Sequence, residues 1–170
     1  MGAAKQLLPV DGVPMLLKIA AELRQSTVDD VFVVTHSEIA SHLPGESVII
    51  NDDPASEMID SIRLGLAAHR GSADGFLICL GDQPGISSED IDRCVEAFRA
   101  SPQTMVIATH AGRRGHPMIF PAFLADQVSS PLCDEGLNAL PREHPQLIRE
   151  IECGPPAVQN VNTPEDYRQL

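Results

Sequence analysis

Three segments of the 170-residue chain contain residue types that bind metal ions or phosphate groups. Asp82 stands in the segment GDQPGIS, directly after the apolar run FLICL. A carboxylate at the carboxyl end of a parallel strand lies where open α/β sheets bind ligands, and hard divalent ions prefer carboxylate oxygen. Asp82 is therefore a candidate Mg²⁺ ligand. The same residues also favour a β-turn, and position alone leaves the two interpretations even.

The other two segments are NVNTPED and GRRGHPMIF. In the first, Asn160 and Asn162 point the same way if the chain is extended, and an amide oxygen can complete a Mg²⁺ shell. Read alone, this segment favours a capped terminal helix. In the second, two arginines between glycines suit an anion-binding loop, although the isolated segment favours a hairpin turn with solvated arginines.

Short apolar runs that alternate with helical patterns must position these residues. Strands are predicted at residues 30–35, 47–50, 75–80, 104–109 and 117–120, and several are apolar at successive positions, as in strands covered on both faces. Apolar stripes predict three helices, around residues 15–23, 59–66 and 91–98. Ser87 and Thr163 provide N-caps for the third helix and for a final helix. The alternation predicts an α/β doubly wound sheet within one domain, residues 1–170.

Composition excludes several classes of partner. The formal charge is −12 without a basic run, which argues against nucleic acid and anionic membrane surfaces. No apolar run approaches the length of a membrane span, and no signal segment is recognisable. The four cysteines lack metal-ligand spacing, and a reducing cytoplasm is the expected compartment.

Five segments, in order, resemble the MobA/MocA-like nucleotidyltransferases of molybdenum cofactor biosynthesis. They are MGAAKQLLPVDGVPML, EMIDSIRLGL, LGDQPGIS, GRRGHPMIF and NVNTPEDY. The resemblance spans nearly the whole chain, with Glu57 replacing a glycine that the family has in the second segment. It implies a three-layer, Rossmann-like (GT-A-like) fold with a mostly parallel sheet.

The resemblance also implies roles for individual residues. Lys5 would contact the nucleotide phosphates, and Asp82 would hold Mg²⁺ between nucleotide and acceptor. Asn162, or Asn160, would stand at the second metal-side position. Further nucleotide contacts would come from Gly2, Asn51, Ser61 and Gln83, and the acceptor side would be lined by Arg113, Gly115 and His116.

The implied reaction is Mg²⁺-dependent nucleotidyl transfer from a nucleoside triphosphate to a phosphorylated acceptor, with release of pyrophosphate. The pterin of molybdopterin would be the acceptor and a molybdenum hydroxylase the downstream partner. KQLLPVDG, the helix at residues 61–66 and GRRGHPMIF favour the cytidylyl branch, and therefore CTP, whereas NVNTPED favours the guanylyl branch. The same family also includes proteins described as nicotine-blue-type oxidoreductases, which would use a nicotinamide cofactor. The chain has no G-x-G-x-x-G motif after a strand, so we rank this alternative below nucleotidyl transfer.

The family's first strand and most of its glycine-rich loop have no counterpart in this sequence. That strand would lie between the strands predicted at residues 30–35 and 75–80, and its loss would leave unpaired backbone groups on both. Three explanations stand open. The favoured explanation is that the natural protein begins further upstream. In the second, a short form has lost catalysis and serves as a cofactor-binding or maturation partner. In the third, a strand from another subunit fills the gap.

Overall fold

The computed structural model describes residues 5–69 and 73–170, so the predicted nucleotide contact at Gly2 lies outside the described residues. The strands, in chain order, are β1 (Pro9–Val10), β2 (Val13–Pro14), β3 (Val33–Thr35), β4 (Val48–Ile50), β5 (Gly75–Ile78), β6 (Met105–His110), β7 (Arg113–Pro121) and β8 (Ile148–Glu152). The α-helices are α1 (Met15–Gln25), α2 (Ser37–Ala40), α3 (Met58–His69), α4 (Ser88–Ala100), α5 (Ala125–Val128), α6 (Ala139–Glu143) and α7 (Pro164–Arg168). Short 3₁₀ helices connect several of these elements.

The main sheet has the strand order β5-β7-β6-β8. β7 is antiparallel to both of its neighbours, whereas β6 and β8 are parallel. Strands β5, β6 and β8 therefore run in the same direction and only β7 is reversed. β3 and β4 form a separate parallel pair, and β1 and β2 form a short antiparallel hairpin. The α/β class is thus confirmed, with a mixed main sheet.

Side chains of β6 alternate between two cores, one on each face of the main sheet. Met105 and Ile107 pack in the core that includes α3, α5 and α6, whereas Val106 and Ala108 pack in the core that includes α4. This alternation follows from the two-residue period of a strand. The molecule therefore has three layers, with helices on both faces of the sheet.

The predicted helices and their caps are confirmed. Helices α1, α3 and α4 cover the three apolar stripes. The side chain of Ser87 accepts a hydrogen bond from the amide of Asp90, and Thr163 and Asp166 form a reciprocal capping box on α7. Every described helix falls short of the length and apolar character needed to cross a membrane.

Sequence patterns missed β8, because its segment, IREIE, is largely charged and only two of its side chains are half-buried. They also predicted too long a strand at residues 30–35, since β3 covers only Val33–Thr35 of this segment. The hairpin of β1 and β2 was not predicted either.

A large cavity separates β3 from β5. It has a volume of about 840 Å³, and both strands line it together with side chains of α1 and α3. Among the described residues, neither strand has a hydrogen-bonded neighbour on the edge that faces this cavity. This is the place where the sequence predicted unpaired backbone groups.

Candidate functional site

Asp82 lies in a turn that follows β5. The turn begins after the carboxyl end of this strand, and its backbone amides bond within the turn, from Gln83 to Leu80 and from Ile86 to Gln83. The carbonyl of Asp82 accepts a hydrogen bond of 2.8 Å from the amide of Val161. This bond attaches the extended segment before α7 to the Asp82 turn, so two segments that are distant in sequence meet at one point.

Three oxygen atoms at this point surround the ammonium group of Lys5. Its Nζ lies 2.7 Å from Oδ2 of Asp82, 3.0 Å from Oδ1 of Asn162 and 3.3 Å from the carbonyl oxygen of Val161. The ion pair is partly shielded, with 27% of the lysine side chain and 15% of the aspartate side chain exposed. A positive charge is thus held by one carboxylate and two neutral oxygens.

The same oxygens suit a divalent cation. Oδ1 of Asp82 is buried and has no hydrogen-bond partner among the described residues, so it keeps a free acceptor position. Carboxylate, amide and carbonyl oxygens are the ligands that Mg²⁺ and similar hard ions take. The described residues contain no group of three or more His, Cys, Asp or Glu around one point, so a metal here depends on the single carboxylate.

Two asparagines predicted as alternative ligands occupy different positions. The side-chain oxygen of Asn162 contributes to the oxygen set around Lys5, and its backbone N–H donates to the carboxylate of Asp166 at the start of α7. The amide oxygen of Asn160 instead accepts a hydrogen bond of 3.0 Å from Nε2 of Gln83. Asn160 lines both cavities of the site, the large one and a smaller one described below.

Ser61 lines the large cavity, and Asn51 lies behind it. The side-chain nitrogen of Asn51 donates to the hydroxyls of Ser56 and Ser61, at 2.6 and 3.0 Å. The residue is buried, with 8% exposed, and it does not line either cavity. Asn51 therefore holds Ser61 and the loop at residues 51–56 in place.

A smaller cavity, of about 420 Å³, lies on the β7 side and contains the three residues predicted for an acceptor. Arg113 and His116 line it from β7. Gly115 allows β7 to approach residue 157 closely, because a Cβ at this glycine would lie 1.8 Å from the carbonyl oxygen of Ala157. Burial lowers the pKa of the His116 imidazole, and the Asp82 carboxylate acts in the opposite direction.

Gln83, predicted to contact a nucleotide, lines the smaller cavity and is absent from the lining of the large one. Its side chain is 2% exposed, and its Nε2 donates to the carbonyl of Ala157 and to Asn160. Its Oε1 is buried without a hydrogen-bond partner among the described residues. Gln83 thus supports the segment that carries Asn160.

Sequence reasoning missed three contributors to the site. The carbonyl of Val161 belongs to the oxygen set, and Asn138 and Arg142 line the smaller cavity from α6 and the residue before it. A backbone carbonyl leaves no sequence signal. Residues near α6 belong to no motif, so only the fold reveals them.

A sequence model of the MobA-like NTP transferase domain matches residues 1–147. The chain belongs to this family. The resemblance inferred from the five segments is therefore confirmed, and the family assigns the chain to nucleotidyltransferases that act on nucleoside triphosphates. Comparison with curated protein sequences gives no match.

Several solved structures have the same fold. Rv0371c from Mycobacterium tuberculosis H37Rv is 24% identical, with a TM-score of 0.85 over 99% of this chain and 89% of that chain. Its complex with manganese is 25% identical, with a TM-score of 0.81 over 97% and 89% of the two chains. A nucleotidyl transferase from Methanothermobacter thermautotrophicus is 26% identical, with a TM-score of 0.82 over 98% of this chain and 83% of that chain.

Proposed function

We propose that the chain transfers a cytidylyl group from CTP to a phosphorylated acceptor, molybdopterin, in a Mg²⁺-dependent reaction that releases pyrophosphate. The observation that carries this proposal is the oxygen set of Asp82, Val161 and Asn162 around the Lys5 ammonium group. It holds a cation beside the large cavity, and Asn160 lies between this cavity and the smaller one. A site for charge neutralisation between two cavities suits a transfer between two anionic substrates.

The part of the large cavity beside Asp82 is the proposed nucleotide side. Asp82 and Ser61 line it, and Lys5 lies against Asp82 at its border. The cytidine preference rests on the likeness of three segments to the cytidylyl branch, against one that favours the guanylyl branch. The molybdopterin acceptor rests on the same resemblance, and a molybdenum hydroxylase would then receive the product.

The residues of the chain would act by positioning and by charge. The Lys5 ammonium group would move from the oxygen set to the triphosphate, where it offsets negative charge that grows during displacement. A phosphate oxygen of the acceptor forms a bond to the α-phosphorus, the bond between that phosphorus and the bridging oxygen breaks, and pyrophosphate leaves with the electron pair. Such a displacement requires alignment of the two substrates and no covalent intermediate.

Asp82 and Asn162 would hold the metal ion, with the unpartnered Oδ1 of Asp82 as a further ligand atom. Mg²⁺ bound there would neutralise the phosphate charge and orient the phosphate oxygens. The manganese complex of Rv0371c supports a divalent ion in this fold.

Turnover tests the proposal. The chain is incubated with molybdopterin and Mg²⁺ and either CTP or GTP, and ³¹P NMR follows the formation of pyrophosphate and of a new diphosphate ester. We expect product with CTP, little with GTP, and none after EDTA or in Asp82→Asn. Product with GTP alone would contradict the CTP preference, and product that persists in Asp82→Asn would contradict the proposed metal site.

The ion pair of Asp82 with Lys5, which occupies the proposed metal position, favours a second candidate, a maturation partner that binds the cofactor without transfer. The turnover experiment separates the two, because a binding partner would retain molybdopterin and release no pyrophosphate. The four cysteines, all free, support a reducing cytoplasm as the proposed location for either function.

A further inference from the structure

Two of the four free cysteines form a buried pair. The sulfur of Cys94, in the middle of α4, lies 3.9 Å from the sulfur of Cys153, the first residue after β8. Cys94 is fully buried and Cys153 is 5% exposed, and both belong to the core that includes α4. The two residues are 59 positions apart in sequence, so their contact depends on the native fold.

Oxidation is the chemistry that this arrangement of two thiols favours. A metal ion would need further ligands, and no group of three or more His, Cys, Asp or Glu side chains in residues 5–69 and 73–170 could hold one. A disulfide requires a distance of about 2 Å between the sulfurs, so the two atoms must approach by about 2 Å. Rotation of a cysteine side chain from one rotamer to another moves its sulfur by about 3 Å. The pair is therefore close enough to form a disulfide without a large backbone change.

Cys153 is the more reactive member of the pair. Its hydrogen bond with Cys94 lowers the pKa of the Cys153 thiol, and the Arg93 guanidinium acts in the same direction, against burial and neighbouring carboxylates. Burial instead raises the pKa of Cys79 to about 12, and it also raises the pKa of Cys133. The thiolate is the form that reacts with oxidants, so Cys153 should react before the other cysteines.

The pair lies between the two segments that meet at the oxygen set. Helix α4 follows the turn that contains Asp82, and Cys153 begins the segment at residues 153–162. Further along this segment, the amide of Val161 donates to the carbonyl of Asp82 at 2.8 Å. A covalent bond at Cys153 would therefore attach the start of the segment to α4, as the hydrogen bond attaches its end to the Asp82 turn.

We propose that Cys94 and Cys153 are a redox-active pair, which a hydroperoxide converts to a reversible disulfide that fixes residues 153–162 against α4. The thiolate of Cys153 attacks one oxygen of the hydroperoxide, the O–O bond breaks, and the second oxygen leaves with the electron pair and takes up a proton. The Cys94 sulfur then attacks the sulfur of the Cys153 sulfenic acid, and the S–O bond breaks with loss of water that carries the Cys94 proton. The two thiols lose two electrons in total, and a reducing dithiol reverses the change. This modification does not depend on nucleotidyl transfer.

Peptide mapping of the native wild-type chain tests the pair. Trypsin places the four cysteines in separate peptides, residues 71–93, 94–99, 115–142 and 150–168. The chain is treated with hydrogen peroxide, and the remaining thiols are blocked with an alkylating reagent. We expect peptides 94–99 and 150–168 to be linked in the main product, with a chain mass lower by about 2 Da. Dithiothreitol should separate the two peptides, and a non-reducing gel should show single chains.

Cys94→Ala and Cys133→Ala are matched variants, because both cysteines are fully buried and only Cys94 contacts a second thiol among the described residues. The link should disappear in Cys94→Ala and persist in Cys133→Ala. The proposal is overturned if the wild-type thiols stay free, if the link joins other cysteines or two chains, or if Cys153 becomes a sulfinic acid without a link. These three outcomes are measured on the wild type, so they decide the matter even if Cys94→Ala fails to fold.

Hydrogen exchange followed by NMR tests the effect of the disulfide on the segment. We expect the amide of Val161 to exchange about tenfold more slowly in the oxidised chain than in the reduced chain, because the bond restricts local opening of residues 153–162. The amide of Asn51, which donates to the carbonyl of Thr35 beside the separate β3–β4 pair, is the control and should be unchanged. Equal exchange of the Val161 amide in the two states would overturn the proposed effect on the segment.

Discussion

At the scale of single residues, a lysine occupies the position that we propose for the metal ion. The ammonium group of Lys5 already occupies the oxygen set that would hold a divalent cation. Two positive charges a few ångströms apart repel each other strongly in a partly buried environment. Metal binding and movement of Lys5 toward the phosphates should therefore be linked events.

Replacing Lys5 with methionine tests this competition. The variant removes the competing charge and keeps the length of the side chain, so we expect Mn²⁺ to bind about tenfold more tightly in the absence of nucleotide. Electron paramagnetic resonance of free Mn²⁺ during a titration measures the affinity. Lys18→Met is the matched control, since Lys18 pairs with the exposed Asp11 away from the site. Unchanged or weaker Mn²⁺ binding in Lys5→Met would contradict the competition.

Gly115 is a second residue whose role can be tested directly. A methyl group there would overlap the carbonyl oxygen of Ala157, and this backbone atom cannot move without shifting the segment that carries Asn160. We expect Gly115→Ala to lower the free energy of unfolding by about 3 kcal/mol in urea denaturation. Arg114→Ala, one position earlier in the same strand, should change it by less than about 1 kcal/mol. Equal stabilities of the two variants would show that the contact is not close.

At the scale of elements, the short helix α7 positions Asn162, which we propose as a metal ligand. The capping box of α7 joins Thr163 to Asp166, and the same Asp166 carboxylate accepts a hydrogen bond from the amide of Asn162. These hydrogen bonds also hold the pKa of Asp166 below its ordinary value. The cap therefore fixes both the helix and the residue beside Asp82.

Thr163→Ala should separate these two effects. Loss of the cap is expected to reduce the free energy of unfolding by about 1 kcal/mol. Because the loss frees the segment around Asn162, Mn²⁺ affinity should fall as well, in the same titration used for Lys5. Ser87→Ala removes the cap of α4, and it should reduce stability without changing Mn²⁺ affinity. A loss of stability in Thr163→Ala with unaltered Mn²⁺ binding would show that α7 does not position Asn162.

The elements that could be predicted from the sequence are those with strong local signals. The run FLICL indicated a buried strand, and a carboxylate after such a strand falls at the ligand-binding edge of the sheet, as Asp82 does. Strand β8 was not predicted because its charged sequence resembles a loop, and its strand geometry comes from pairing with β6. Arg142 was not predicted as a site residue, because its place on the same cavity as Arg113 depends on the path of the whole chain between β7 and α6.

At the scale of the molecule, the division of the sheet is the main feature. Strand β6 is paired on both sides, whereas β3 pairs with β4 alone among residues 5–69 and 73–170, and its other edge faces the large cavity. Backbone amides in such an edge open more easily than those in a central strand. The stability of the two halves of the structure should therefore differ.

Hydrogen exchange followed by mass spectrometry or NMR measures this difference. We expect amides of β3 to exchange at least about 100-fold faster than those of β6 under native conditions, since their opening does not require global unfolding. The amides of β8, which pair with β6 on one edge, provide an internal control and should lie between the two. Equal protection of β3 and β6 would show that the edge at the large cavity is closed in solution.

The most direct test of the central claim is the binding of Mg²⁺-CTP to the wild type and to Asp82→Asn, measured by calorimetry. We predict one CTP per chain, loss of binding in EDTA, and a weakening of about 100-fold or more in Asp82→Asn, because the single carboxylate of the oxygen set would hold the metal. Arg142→Gln should bind with the wild-type affinity. Equal affinity of Asp82→Asn and the wild type, or no binding of any nucleoside triphosphate by the wild type, would contradict the account.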